Sequence, residues 1–207
     1  MYSSKNEDEQ NNLFPIFLKL EKLETLIVGG GNVGLEKLTA LLNNSPDANI
    51  ILIGKVIHPD IKIIAETTPN LMLKERAFAL NDLQDKDIVI IATNDSHENK
   101  KIYQLTKRKK ILVNVADTPD LCDFYLGSIV RKGNLKIAIS TNGKSPTLAK
   151  RLRETFTEIF PDEINEVLQN LREIRDELKG NFDYKVKKLN EITNVMTNKI
   201  PENTIKK

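Results

Sequence analysis

The feature that most constrains this chain is a junction. The run Thr25-Leu26-Ile27-Val28 stops at Gly29-Gly30-Gly31-Asn32-Val33-Gly34, and a helical pattern opens directly behind it. Consecutive apolar or β-branched residues suit a strand covered on both faces, and such strands belong to parallel sheets layered between helices. The glycine run has G-x-G-x-x-G spacing, which means little alone and much more between a strand and a helix. In that setting Gly29 permits the tight turn, Gly31 lets the backbone approach a pyrophosphate, and Gly34 lets helix pack closely on strand. The N–H groups of Asn32 and Val33 then face an anion at the positive end of the helix dipole. A turn with a purely structural purpose is the alternative.

The rest of the first half repeats this alternation. Asn32 to Asn43 reads as a helix with Val33, Leu38, Leu41 and Leu42 on its apolar face. Ile50–Ile53, Asp87–Ala92 and Ile111–Val115 read as further buried strands, and Leu71–Leu73 as a weaker one. The fold class is therefore α/β, with a Rossmann-like parallel sheet. The character changes after Asp117. Residues 127–131 and 135–140 flank Lys132-Gly133-Asn134 and read as a hairpin. Ser145 can cap a helix whose first residue is Pro146, with Leu148, Leu152, Phe156, Ile159 and Phe160 at helical spacing until Pro161. Asp162 and Glu163 open a second helix with a stripe of Ile164, Val167, Leu168, Leu171, Ile174 and Leu178, and Gly180 is its stop. A third runs from Tyr184 to Asn198 with Val186, Leu189, Ile192 and Met196. Such stripes form core or dimer surface more often than a cofactor box.

Composition excludes several function classes. The 31 basic and 29 acidic residues nearly cancel, which argues against a nucleic-acid binder. The one dense basic run, Lys107 to Lys110, sits where a helix should end and complements its dipole. Cys122 is the only cysteine, so no intrachain disulfide can form, which suits a reducing cytoplasm. No apolar stretch is long enough to cross a bilayer, so no membrane partner is expected. Met1 to Asn12 is polar, without the apolar core of a secretory signal, and reads as a disordered leader; the tail after Pro201 reads as frayed. Two histidines and one cysteine offer no metal-ligand spacing. His58 precedes Pro59 in a loop and reads as solvated, whereas His97, just past the third strong strand, is a candidate substrate contact. Cys122 reads as a small buried hydrophobe.

Around the glycine turn, one expected residue is missing. A dinucleotide site often has an acid at the end of its second strand to hold the ribose hydroxyls. Here that strand ends Ile53-Gly54-Lys55-Val56, and Lys55 either meets a 2′-phosphate or points to solvent. The choice between NAD and NADP stays open. Thr93 and Asn94 lie at the carboxyl end of another strand, where they border the nicotinamide; Asn94 and Asp95 serve equally well as helix caps. Asp117, leaving the next strand, suits a general base, although spacing alone favours an Asx-turn before Pro119. The loop Ser140 to Pro146 brings Thr141, Asn142, Lys144 and Ser145 to a helix start. It is a cradle for substrate carboxylates, reinforced by Lys150, Arg151 and Arg153, or an ordinary capped turn with a solvated basic face.

Taken together, Leu13 to Leu20, the Ile27 to Gly31 turn, Asn114-Val115-Ala116-Asp117 running on to Phe124, and Ser140 to Pro146 resemble the precorrin-2 dehydrogenases. These include the dehydrogenase/ferrochelatase part of sirohaem synthases. The resemblance covers about residues 13–160. It implies a homodimer that oxidises precorrin-2 to sirohydrochlorin with NAD⁺ on the route to sirohaem, and in some members inserts Fe²⁺. It also implies that Asp117 is the catalytic residue; beside it, the reading of the residues themselves gives Gly29, Gly31, Asn32, Val33, Gly34, Lys55, Val56, Thr93 and Asn94 to the cofactor and Thr141, Asn142, Lys144, Ser145 and His97 to the substrate. The position matching Thr141 holds serine in some members, and the family commonly lacks the acid after its second strand. The implied organisation is a Rossmann domain over 13–116, a dimerisation region over 117–146 and a helical domain over 147–200. Two alternatives remain: a non-catalytic, NAD(H)-sensing dimeric regulatory module, and a dehydrogenase for another anionic substrate. The two later motifs speak against the sensor, which needs no tetrapyrrole cleft.

Overall fold

Residues 10–197 are described by the structure, a computed structural model. The expected leader (apart from residues 10–12), Asn198 and the tail lie outside those residues. The chain divides into two compact units. The first comprises residues up to Ser128 together with Ile139–Ala149, and the second Ile129–Ala138 together with residues from Lys150 onward.

In the first unit, five parallel strands run β1 (Glu24–Val28), β2 (Asn49–Gly54), β3 (Leu71–Glu75), β4 (Ile88–Ile91) and β5 (Leu112–Val115), in the spatial order β3-β2-β1-β4-β5. This is the doubly wound, Rossmann-like sheet that the apolar runs predict. Every side chain of β4 is buried, as are four of five in β1, because helices cover both faces. One face carries a core of Ile27, Leu52 and Ile90 against Leu38 and Leu41 of α1 (Asn32–Asn44) and Ile61 of α2 (Pro59–Glu66). The other carries Leu26, Val89 and Val113 against Ile102 of α3 (Ser96–Arg108) and Leu83. The strand order reverses between β1 and β4, which opens a crevice at the carboxyl ends of the strands.

Helix α2 was not legible in the sequence, being short and opened by a histidine. His58 is its N-cap, with Nδ1 accepting the Asp60 N–H at 3.1 Å. The expectation of a solvated loop histidine is thus corrected: an imidazole nitrogen replaces the usual capping oxygen.

β5 is an edge strand, and the chain itself covers that edge. Asp123 N–H donates to the Val113 carbonyl (2.7 Å), and Asp123 Oδ2 accepts the Val113 N–H (3.1 Å). Cys122 Sγ accepts the Val115 N–H at 3.3 Å, and Lys107 holds Asp123 Oδ1 at 2.6 Å. Leu121 and Cys122 pack on one core and Phe124 on the other. This segment removes a row of unpaired backbone groups that would otherwise invite edge-to-edge association.

In the second unit, β6 (Ser128–Lys132) and β7 (Leu135–Ile139) form the expected hairpin, with Gly133 at φ +55°. It is tied to α5 (Ile164–Glu177) by Asn165 Oδ1, which accepts the Asn134 N–H at 3.0 Å, and by a Lys132–Asp162 ion pair. Helix α4 (Pro146–Ile159) stops before Pro161, and α6 (Phe182–Thr197) follows Gly180. Asp162 precedes α5, and Glu163 is its N-cap without a side-chain bond, so the acid of its first turn is Glu166.

Candidate functional site

The glycine turn is held open from several sides. Gly29 has φ +124°, and a Cβ there would lie 2.3 Å from the Ala92 carbonyl oxygen. A Cβ on Gly34 would lie 2.0 Å from the Gly29 carbonyl oxygen, which is the close helix–strand approach. A Cβ on Gly31 would meet nothing within 4 Å. Gly31 is therefore small toward open crevice rather than toward protein. The first bond of α1 runs from Leu35 N–H to the Gly31 carbonyl at 2.9 Å, and no side chain caps this end. The N–H groups of Asn32, Val33 and Gly34 are thus directed out of the helix at its positive end.

These residues wall a crevice of about 420 Å³, a size suited to a small-molecule ligand. Gly29, Gly31, Asn32, Val33, Lys55, Val56, Thr93 and Asn94 all line it; Gly34 stands behind them. The donor set fits a dinucleotide. It has unpartnered backbone N–H groups for a pyrophosphate, open space above Gly31, and apolar surface at Val56, which is 75% exposed, and at Phe78.

Four contributors escaped sequence reasoning. Gly30, the middle residue of the run, packs against the β2–α2 connection: a Cβ there would lie 2.5 Å from the Val56 carbonyl oxygen, and its own carbonyl accepts the His58 N–H at 2.8 Å. Arg76, just beyond β3, lines the crevice with its guanidinium forked onto Asp82 at 2.8 and 2.5 Å. Glu98 lines the opposite wall, 3.9 Å from Lys55. Asn99 is buried under Thr93, accepting its hydroxyl at 2.5 Å and donating to its carbonyl at 3.0 Å. A third consecutive glycine was the only local signal among these.

Asp95 is the cap of α3, its carboxylate accepting the N–H groups of His97 and Glu98 at 2.9 and 3.0 Å. Those bonds hold the Asp95 carboxyl below its usual range. Asn94 is left on the crevice. His97 is exposed in the first turn of α3 and does not line the crevice.

Asp117 sits two residues past Val115, which pairs with Ile91, so it emerges level with Thr93 on the adjacent strand end. Its backbone is left-handed at φ +56° and its side chain is exposed. The Asx-turn alternative does not describe it, since the turn closes through Thr118 N–H on the Val115 carbonyl at 3.2 Å. The Asp117 carboxylate has no hydrogen-bond or ion-pair partner among the described residues. A non-glycine residue in this conformation stores on the order of 1 kcal/mol of strain. Cys122 is half-buried, and burial raises its thiol pKa, so it behaves as packing rather than as a nucleophile.

In the Ser140 loop, Asn142 and Gly143 are both left-handed, at φ +52° and +74°. Thr141 Oγ1 accepts the Ser145 N–H and Ser145 Oγ accepts the Leu148 N–H, each at 3.2 Å. The capped turn is therefore real, with Asn142 and Lys144 exposed beside it. Among the described residues no three His, Cys, Asp or Glu side chains gather in a way that could hold a metal ion.

Comparison with known proteins agrees with this geometry. A family model described as "Putative NAD(P)-binding" matches residues 16–128, and one described as "Sirohaem biosynthesis protein central" matches residues 132–158. The siroheme synthase of Vesicomyosocius okutanii is 33% identical over 173 residues, covering 83% of this chain and 36% of that protein. That of Psychrobacter cryohalolentis is 34% identical over 169 residues, 82% of this chain and 32% of that protein. The chain thus spans about a third of the length of the curated relatives it matches. The solved structure of SirC, a precorrin-2 dehydrogenase, superposes with a TM-score of 0.70 at 26% identity, covering 87% of this chain and 89% of that one. The chain belongs to the precorrin-2 dehydrogenase and sirohaem synthase family.

Proposed function

We propose that this chain oxidises precorrin-2 to sirohydrochlorin in sirohaem biosynthesis, with a nicotinamide dinucleotide as acceptor. NAD⁺ is the acceptor that the resemblance implies. The observation that carries the reading is the unpartnered carboxylate of Asp117, offered at the sheet edge level with the crevice lip at Thr93. The oxidation removes a hydride and a proton. The bound nicotinamide supplies the hydride acceptor, and Asp117 takes the proton. A carboxylate that no neighbour has engaged is ready to accept one without first breaking a bond. The N–H groups at Asn32 and Val33 bind the pyrophosphate, while Asn94 borders the nicotinamide. Lys144, Asn142 and the Ser145 turn meet substrate carboxylates, and charge-assisted bonds suit that purpose. We assign His97 only an outer contact, given its place off the crevice.

A homodimer in the cytoplasm completes the reading. It is supported by apolar residues left at the surface of α4 and α6, with Ile159 61% and Phe182 80% exposed. The test is an anaerobic assay of the purified chain with precorrin-2 and either NAD⁺ or NADP⁺, followed by absorbance. Formation of sirohydrochlorin with matching reduced cofactor supports the reading, and Fe²⁺ added to the same cuvette tests chelation. Cofactor binding with no change in the tetrapyrrole spectrum favours the sensing module instead.

A further inference from the structure

The Asp117 carboxylate has no partner among the described residues, so its place is set by the backbone that carries it. That backbone leaves β5 at Val115, turns left-handed at Asp117 with φ +56°, and comes back to the strand edge at Cys122. A residue other than glycine keeps such a conformation only where the surrounding structure holds it there. Within the loop, Thr118 N–H donates to the Val115 carbonyl at 3.2 Å, Leu121 N–H to the Thr118 carbonyl at 3.0 Å, and Cys122 N–H to the Pro119 carbonyl at 3.0 Å.

Two side chains close the mouth of this loop. Cys122 Sγ accepts the Val115 N–H at 3.3 Å and faces the carbonyls of Val115 and Thr118 at 3.3 and 3.4 Å. It therefore grips the backbone on both sides of Asp117, two residues before it and one after. Only a protonated thiol can do this, because an S–H donates to a carbonyl and a thiolate has nothing to donate. Burial pushes the Cys122 thiol pKa up, which keeps the proton in place. Asn114, buried on β5, closes the loop a second time: its Nδ2 donates to the Phe124 carbonyl at 2.9 Å and lies 3.5 Å from Cys122 Sγ. Apolar side chains at these two positions could fill the space but could not engage those backbone groups.

From this closure we infer that Asn114 and Cys122 are positioning residues for Asp117, fixing the two ends of its loop so that the carboxylate stays level with Thr93 at the crevice lip. The inference rests on the reading of Asp117 as the base in the oxidation of precorrin-2. Neither side chain touches the substrate; both act through the backbone that carries the acid.

The test is steady-state turnover of precorrin-2 by Cys122→Ala, Cys122→Ser and Asn114→Ala, each made in the unaltered chain and in Asp117→Ala, beside a thermal melt of every variant. Cys122→Ala is expected to lower kcat at least about tenfold, since a small misplacement of a reacting group costs that much. The KM for the dinucleotide stays unchanged, because the glycine turn is untouched. Cys122→Ser recovers part of the lost kcat, as a hydroxyl both accepts and donates. Asn114→Ala lowers kcat in the same way. In the Asp117→Ala background none of the three lowers the residual turnover further, because residues that act as a unit are not additive. Cys122→Ser carries the same comparison should the alanine variant not fold. Equal kcat for alanine and serine at Cys122, or a further loss in the Asp117→Ala background, overturns the inference and leaves Asp117 as the base. Full turnover by Asp117→Ala removes the base and the inference together. A chain that binds the dinucleotide and oxidises no precorrin-2 removes the proposed reaction and the inference with it.

Discussion

Two alanine substitutions in the same glycine turn are expected to fail in opposite ways. A Cβ on Gly34 would sit 2.0 Å from the Gly29 carbonyl oxygen, and real Cβ contacts essentially never fall below 3.0 Å. The start of α1 must therefore move by about 1 Å against backbone that cannot yield, since Gly29 is itself wedged against the Ala92 carbonyl. Overpacking of this kind costs about 1–3 kcal/mol, and the gain of helix propensity on leaving glycine returns up to about 1 kcal/mol. Gly34→Ala should lose about 2 kcal/mol, a fall in Tm of about 4–8 °C for a chain of this size. Gly31→Ala meets nothing within 4 Å, and Gly31 already has extended backbone at φ −85° and ψ −163°. A slightly poorer N-cap is offset by a stiffer unfolded chain, so stability should change by no more than about 0.5 kcal/mol. Its methyl nonetheless projects into the space assigned to the pyrophosphate. Dinucleotide affinity should fall at least about tenfold, measured by titration beside a thermal melt of each variant. Unaltered dinucleotide binding by Gly31→Ala would refute the placement of the phosphate, whatever Gly34→Ala does.

Asp117→Ala is expected to keep dinucleotide binding and lose most turnover of precorrin-2, with Tm unchanged or slightly lowered because alanine tolerates the left-handed backbone at this position no better than aspartate; full activity would sink its assignment as base. Asn99→Ala leaves the Thr93 carbonyl without its buried partner, costing about 1–3 kcal/mol in denaturant unfolding, and the freed Thr93 turn should raise the cofactor KM more than it lowers kcat. The Arg76 guanidinium holds the Asp82 carboxyl below the usual carboxylate range. A depressed acid stabilises the fold above its unfolded pKa of about 3.9 and loses that contribution as pH falls through the folded value. Asp82→Asn should therefore be less stable than the unaltered chain at pH 7, with the gap closing below about pH 4 in urea melts; a pH-independent gap would contradict the ion-pair account.

The sequence by itself determined the elements whose signals are local. Thr25 to Val28, ended by glycine and followed by a helical period, could only be a buried strand feeding a helix N-terminus. Gly29 and Gly34 carried their packing roles in their spacing. The hairpin at Gly133 and the Ser145-Pro146 helix start were readable for the same reason, because turn and cap chemistry acts over a few residues. Helix α2 was not readable, since eight residues opened by a histidine cap carry too little period. Nor did the motif from Asn114 to Phe124 announce that its second half covers the β5 edge, although Cys122 and Asp123 do so by bonding backbone groups of residues 113 and 115. Asp117 stood out as a residue type at a strand end, while its lack of a hydrogen-bond or ion-pair partner among the described residues emerged only from the fold. Arg76 and Glu98 belong to the crevice, and Asn99 stands beneath its lip at Thr93, because strand register and strand order bring β3, α3 and the glycine turn to one end of the sheet. Such proximity is a property of long-range pairing, which no window of neighbouring residues encodes.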